Sequence, residues 1–471
     1  MKRAYWLVCL IAGATFPCSG GELRVGRGLV DITPVVGTPM LTPQSRPFVK
    51  LAEPAHDPLC VRAVVLDVDG KQAAIVAVDL TSIPNAMMDE ARQLISAATK
   101  IDPDAIMISA THTHTAPQVR ARFLGKVSPE ARQLALDYIA ALPGRIAEAA
   151  ILAARNVELS QASAGIGHET TISFNRRYLM ADGSVMTNPG KDDPSLHAKI
   201  VRPAGPTDPE VGVVHFATHA GTSQATMVNF SLHLDTDGGA APTADFAGTL
   251  HSILVAKCGA DMLSFFAIGA AGNINHYNLM NPSGPTRVKG HEESARIGTA
   301  LGNAVVATYP HLIPVEASAL RFSRRKVVLQ MPREKGAALA AQHNNKPEFF
   351  DGEVTVTNKD GSQSFEAEVQ VIALGNELAW VGLPGEMFVE FGLALKDASP
   401  FRFTMIHELA NRSIGYVPNL RAYPEGAYEG LATRCAPGSG EELVSVATQL
   451  LVEVRHQSPG DSTANAALRA P

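Results

Sequence analysis

Apolar positions between residues 60 and 80 fall in two β-type runs, Val61-Arg-Ala-Val-Val-Leu-Asp-Val68 and Gln72-Ala-Ala-Ile-Val-Ala-Val-Asp-Leu80, separated by Asp69-Gly70. Asp and Gly tolerate the positive φ of a two-residue primed turn, so the stretch predicts a hairpin of central strands. Pro84 then opens a predicted helix over 85–99, with Met87, Ala91, Leu94 and Ile95 on one stripe. The short apolar run Ala105-Ile106-Met107-Ile108-Ser109 follows as a core strand and stops at Thr111-His112-Thr113-His114-Thr115-Ala116-Pro117.

The alternation continues along the chain. Glu22 opens a first strand that ends at Pro34, and Ser128-Pro129 caps a helix that runs to about residue 154 with a kink expected at Pro143. Further strands are predicted over 157–166, 211–217, 225–232, 262–268, 314–329, 367–374, 377–383 and 401–407, and helices over 291–308, 387–396 and 439–454. This order defines an α/β fold with mixed β-sheets, hairpins and flanking helices.

Composition narrows the class. A chain of 471 residues, 46% hydrophobic and 18% charged, holds one large or two modest domains, and its 39 Gly and 31 Pro favour tight turns over long bundles. A net charge of −6 gives no basic field, which argues against nucleic acid and against polybasic membrane binding. Met1-Lys2-Arg3, an apolar run over 4–16 and Cys18-Ser19-Gly20 have the parts of a signal peptide, so residues 1–20 are expected to be removed and the protein secreted or periplasmic. Phe16-Pro17 before Cys18 argues against a lipid anchor there. Residues 21–456 then form the functional domain, with a surface excursion over 332–360 and a disordered tail over 457–471. Cys60, Cys258 and Cys435 remain after removal of the leader, so at most one disulfide forms.

The candidate chemistry sits where apolar strands stop. In an extended segment His112 and His114 point to the same side and can converge on one point, although two such residues alone also fit a solvated loop. Met227-Val-Asn-Phe-Ser-Leu232 hands His233 to a polar loop in the same way, with Asp235 and Asp237 close behind. Histidines delivered by separate elements are what a first-row metal needs, which places a metal site at the strand ends. Asp245 reads either as a support for a ligand histidine or as the N-cap of the next helix. The run Gly269-Ala-Ala-Gly272-Asn273-Ile-Asn275-His276 lets backbone approach a ligand, but it lacks both the Walker lysine and the dinucleotide fingerprint. Arg176 and Arg177 suit a carbonyl or carboxylate, while each taken alone reads as a solvated loop arginine. Glu386 lies at a strand-to-helix elbow, where a first-turn acid on the helix dipole is the plainer reading.

The residues in this order resemble the N-terminal catalytic domain of the neutral (non-lysosomal) ceramidase family over roughly residues 23–455. The marks are Val30-Asp31-Ile-Thr-Pro, Asp57-Pro58-Leu59 with Arg62, Ala110-Thr-His112-Thr-His114, Asn175-Arg176, Asn229-Phe with His233, Leu383-Pro-Gly-Glu386-Met, and Gly415-Tyr416-Val with Tyr428-Glu-Gly. Members of that family are zinc amidases that release a fatty acid and sphingosine from ceramide. The resemblance implies zinc held by His112, His233, Glu386 and Tyr416, with His114, Arg176 and Tyr428 around the scissile carbonyl. A tyrosine ligand lies outside the common His/Cys/Asp/Glu set, and only the resemblance suggests Tyr416. It implies amide hydrolysis by zinc-activated water, on an N-acylated lipid or small-molecule substrate, with peripheral membrane contact compatible. Oxyanion donors such as His114 and Tyr428 are each worth roughly 3 kcal/mol in sites of this kind. The alternatives are a metal-dependent hydrolase of another ester or small amide, or a non-catalytic binding domain. The sequence departs from the family at Thr115-Ala116, at Leu234-Asp235-Thr-Asp237 and at Gly272-Asn273-Ile-Asn275, and no immunoglobulin-like domain is expected after the catalytic one.

Overall fold

The structure, a computed structural model, describes residues 21–41, 49–190, 193–281, 288–332, 356–358, 360 and 362–458. The predicted leader lies outside these residues, as do the predicted tail beyond Ser458 and most of the excursion over 332–360.

One pattern is used three times. The strands Cys60–Val68 and Lys71–Val78 form the first hairpin, the helix Asn85–Thr99 crosses over, and the strand Ile106–Ala110 returns parallel to the hairpin's second strand. Glu210–Thr218 and Ser223–Phe230, the helix Phe246–Cys258 and the parallel strand Leu263–Ile268 repeat it. Gln363–Leu374 and Leu378–Gly382, the helix Val389–Ala398 and the parallel strand Phe403–His407 repeat it again. Each hairpin is antiparallel and each crossover parallel, which is why a helix is required in the second case and a short turn suffices in the first. In the first hairpin both Asp69 (φ 53°) and Gly70 (φ 85°) take the left-handed conformation, as the primed turn demands.

The first two units join through Leu23–Asp31 and Glu158–His168 into one nine-stranded sheet, and Leu320–Gln330 extends the third unit. Strand alternation then decides the packing. Phe216, Met227 and Phe265 of the second unit, and Ile372, Trp380 and Met405 of the third, belong to the same buried cluster as Val64, Ile75 and Ile108 of the first. Their neighbours in sequence face the other way. Val213, Val228 and Phe266 pack under the helices Phe246–Cys258 and His291–Thr308, while Val371, Val381 and Ile406 pack under Val389–Ala398 and Ser439–His456. Since side chains alternate along a strand, each sheet segment has an inner face for the shared core and an outer face for its helices.

The elements follow the predicted ones with informative differences. In Asn85–Thr99 the buried stripe is Met87, Met88, Ala91 and Ile95, and Leu94 is 41% exposed, because Arg92 turns inward to pair with buried Glu368 at 2.8 Å. The helix Pro129–Arg155 starts at Ser128, whose Oγ accepts the Ala131 N–H, and continues through Pro143 as one element. The stretch predicted as strand over 314–329 divides into Ile313–Val315 and Leu320–Gln330. Cys60, Cys258 and Cys435 are thiols. Among the described residues no helix is long and apolar enough to cross a membrane.

Candidate metal centre

All three units end their parallel strands on the same side of the core, where open α/β sheets place their ligands. His112 stands two residues past Ile106–Ala110 at φ 74°, a left-handed value uncommon outside glycine. Its N–H donates to the Leu80 carbonyl (3.0 Å) and its Nδ1 lies 2.6 Å from the Thr81 carbonyl. A carbonyl only accepts, so Nδ1 carries the proton and Nε2 presents a lone pair. His233, three residues past Ser223–Phe230, repeats the device: its Nδ1 is 2.9 Å from the Ala271 carbonyl, which turns Nε2 inward.

The inward atoms meet. His114 Nε2 is 3.2 Å from His112 Nε2, and the ligand nitrogens of His112, His114 and His233 lie within 4.8 Å of one another. Glu386 Oε2 stands 3.5 Å from His112 Nε2 and 3.4 Å from His233 Nε2 and is buried with no hydrogen-bond partner. Burial alone would raise the Glu386 carboxyl, but the two imidazoles outweigh it and hold it well below the usual carboxylate range. Burial likewise pulls His114 down to about 3 and His233 down to about 4, the latter with help from Arg176, so both rings are neutral near pH 7. Neutral imidazoles and an ionised carboxylate aimed at one point are the donor set of a first-row cation, and the residues therefore fit a metal.

Glu386 does not lie in the first turn of the following helix, where Glu390 is the acid. It belongs to a two-residue parallel pairing, Glu386 with Tyr416 and Met387 with Val417, and its N–H donates to the Gly415 carbonyl at 2.9 Å. That pairing puts Tyr416 beside the carboxylate. Burial and the adjacent Glu386 raise the Tyr416 phenol well above its ordinary value, and Arg176, which hydrogen-bonds it, acts in the opposite direction. The Tyr428 ring lies 5.4 Å from the Tyr416 ring and is 55% exposed, at the edge of the cluster.

Neither arginine is solvated. Arg176 donates to Glu429 (2.8 Å) and to the Gly272 carbonyl (2.7 Å), with Nη1 3.5 Å from His233 Nε2. Arg177, 2% exposed at its side chain, pairs with Glu429 (2.9 Å) and Glu425 (3.0 Å). Burial opposes the Arg176 charge, and Tyr416, Glu429 and Glu386 more than offset it. The guanidinium thus faces the centre as a fixed charge.

The aspartates have other work. Asp235 pairs with Lys289 (2.5 Å) at the surface near His114, and Asp237 pairs with His291, whose ring stacks on His56 at 3.8 Å. The Asp245 carboxylate accepts the Phe246 N–H (2.7 Å) and also the N–H groups of Thr236 and Asp237 (2.9 Å each), so it caps its helix and clamps the loop that follows His233. Gly272 allows a close approach, but to the protein's own backbone: a Cβ there would meet the Glu386 carbonyl oxygen at 2.4 Å. Sequence reasoning passed over the supports at Asp79, Thr81, Ala271 and Glu408. A carboxylate directly after an apolar strand was the available signal for Glu408.

The fold and this cluster define a mixed α/β protein with a possible metal centre at its strand ends. Two solved structures share the architecture. Neutral ceramidase from Pseudomonas aeruginosa superposes with a TM-score of 0.70 at 18% identity, over 94% of this chain and 76% of that one. A ceramidase complexed with C2 superposes with a TM-score of 0.69 at 18% identity, over 94% and 77%. No family model matches the sequence, and no curated protein does. The likeness is therefore one of fold.

Proposed function

We propose that the protein is an exported zinc-dependent hydrolase of N-acyl amide bonds. The observation that supports it best is the convergence of three histidine nitrogens and the unpartnered Glu386 Oε2 on a ceramidase-like fold. In this reading His112, His233, Glu386 and Tyr416 hold the ion. Zinc supplies Lewis acidity at an acyl carbonyl and a water acidic enough to ionise near neutral pH.

The remaining groups act through their own chemistry. The carbonyls of Thr81 and Ala271 keep the ligand imidazoles in one tautomer. Arg176, held by Glu429, favours the ionised Tyr416 phenol that ligation requires. Partial loss of solvent at the half-exposed Tyr428 side chain and nearby Glu386 raise its phenol, which stays protonated at neutral pH and can donate to the oxygen that gains charge in the tetrahedral intermediate. His114, neutral and beside His112, lines the same space. The substrate is an N-acylated lipid or small molecule. The Asp235–Lys289 pair close to His114 favours a second reading, a small soluble amide or ester.

Two measurements test this. Metal analysis of the mature protein beside His112→Ala and Glu386→Ala should give one bound zinc in the parent and loss in both variants; full occupancy in both would overturn the ligand set. A hydrolysis screen with N-acyl sphingosines, simple N-acyl amines and esters should show amide turnover. Turnover confined to esters would remove the amidase reading.

A further inference from the structure

Glu408 follows the strand Phe403–His407 directly and is wholly buried. Its Oε2 accepts two backbone hydrogen bonds, from the Ala271 N–H and the Met387 N–H, each at 3.0 Å. These amides belong to the two supports of the candidate centre. The Ala271 carbonyl sets the tautomer of His233, and Met387 is the residue after Glu386. A single oxygen therefore ties Ala271, whose carbonyl orients one ligand, to the peptide that joins the other ligand, Glu386, to Met387.

The backbone around it is built to hold that position. The Glu408 N–H donates to the Ile268 carbonyl (3.2 Å), the Leu409 N–H to the Gly385 carbonyl (3.3 Å), and the Leu409 carbonyl accepts the Ala110 N–H (3.3 Å). Leu409 takes a left-handed φ of 51°, and Asn411 one of 62°. A leucine in that region costs energy and persists where surrounding contacts fix it. Asn411 Oδ1 in turn accepts the Ile108 N–H at 3.0 Å, in the strand that leads to His112. The segment thus touches the strand that leads to His112, the strand paired with the one that delivers His233, and the residues just before Glu386. What separates the two carboxylates is what each engages: Glu386 Oε2 stands 3.5 and 3.4 Å from the His112 and His233 Nε2 atoms, whereas Glu408 Oε2 engages backbone amides.

We propose that Glu408 is a positioning residue that sets metal affinity without touching the ion, by fixing Glu386 and His233 relative to each other through the Met387 and Ala271 amides. The inference rests on the reading of this cluster as a metal centre. Losing such an indirect support typically weakens a site about 10–100-fold.

The test compares Glu408→Gln, which keeps an acceptor oxygen at the same reach, with Glu408→Leu and Glu408→Ala, which keep none. Zinc and cobalt dissociation constants are measured by chelator competition, with the visible spectrum of the cobalt form and the melting curve of the metal-stripped protein alongside. Glu408→Gln should bind within about threefold of the parent with the same cobalt bands, whereas Glu408→Leu and Glu408→Ala should bind about 10–100-fold more weakly with altered bands. Unchanged affinity and spectrum in Glu408→Leu or Glu408→Ala would overturn the proposal, as would a loss in Glu408→Gln equal to theirs. If neither truncated variant folds, Glu408→Gln decides: unchanged affinity with slow hydrogen exchange at the Ala271 amide supports the proposal, and weakened affinity or fast exchange there overturns it. A parent protein that binds no metal would sink the metal reading itself, which separates the two failures.

Discussion

Replacing Asp79 by alanine should destabilise the protein severely and for a reason that can be isolated. Asp79 is wholly buried and Arg62 nearly so, and the two form an ion pair. Asp79 also accepts the Cys60 N–H (2.9 Å) and the Thr111 hydroxyl (3.1 Å), so its carboxylate joins the first hairpin to the residue before His112. Truncation leaves the Arg62 guanidinium buried without a counter-charge, and breaking such a pair from one side costs about 3–5 kcal/mol. Removing both charges is different: a well-packed apolar pair of similar volume can be close to neutral. The assay is urea unfolding with a chelator present, so that metal binding does not contribute to the measured stability. Asp79→Ala should fall by about 3–5 kcal/mol, and Arg62→Met with Asp79→Leu by clearly less than the sum of its singles, its remaining loss of about 1–3 kcal/mol for each orphaned donor coming from the Cys60 N–H and the Thr111 hydroxyl. A loss under about 1 kcal/mol for Asp79→Ala, or a double variant as unstable as the sum of its singles, would refute the argument.

Three further outcomes follow from the same geometry. Asp245→Ala removes the acceptor of three backbone N–H groups and should cost about 2–4 kcal/mol in urea unfolding, since the cap alone is worth about 0.5–2 kcal/mol. Gly272→Ala forces a Cβ against the Glu386 carbonyl oxygen and should weaken zinc binding about tenfold or more in chelator competition, whereas Gly238→Ala, with open space around its Cβ, should leave it unchanged. Burial lowers His407 to about 3, while an unfolded histidine titrates near pH 6.5, so between those values the unfolded chain binds a proton that the folded one refuses. Metal-stripped protein should therefore lose stability as pH falls through this window, and His407→Leu should make that slope shallower by about 1.4 kcal/mol per pH unit. An unchanged slope in the variant would show that His407 is protonated in the fold.

The alternation of runs made most elements readable, and the helices Asn85–Thr99 and His291–Thr308 fall on their predicted bounds. His112 and His233 stood out because each apolar run stops abruptly at an imidazole. The sharing of one core by three hairpin-helix-strand units was not readable, because it depends on which side of each strand turns inward. The burial of Arg176 and Arg177 was hidden for a related reason: their partner Glu429 lies far along the chain, and a loop arginine beside unknown neighbours looks solvated. Glu386 and Tyr416 meet through a two-residue pairing too short to leave a periodic signal. Glu408 carries the same signature as the histidines, a polar residue ending an apolar strand, and its role lies in backbone contacts that side-chain patterns do not report.

The candidate ligands are split between repeats that begin at Cys60 and repeats that finish beyond Phe403. A growing or partly threaded polypeptide would own two imidazoles long before it owned the carboxylate and phenol. The full ligand set would then be complete only late in maturation, after the final repeat has docked.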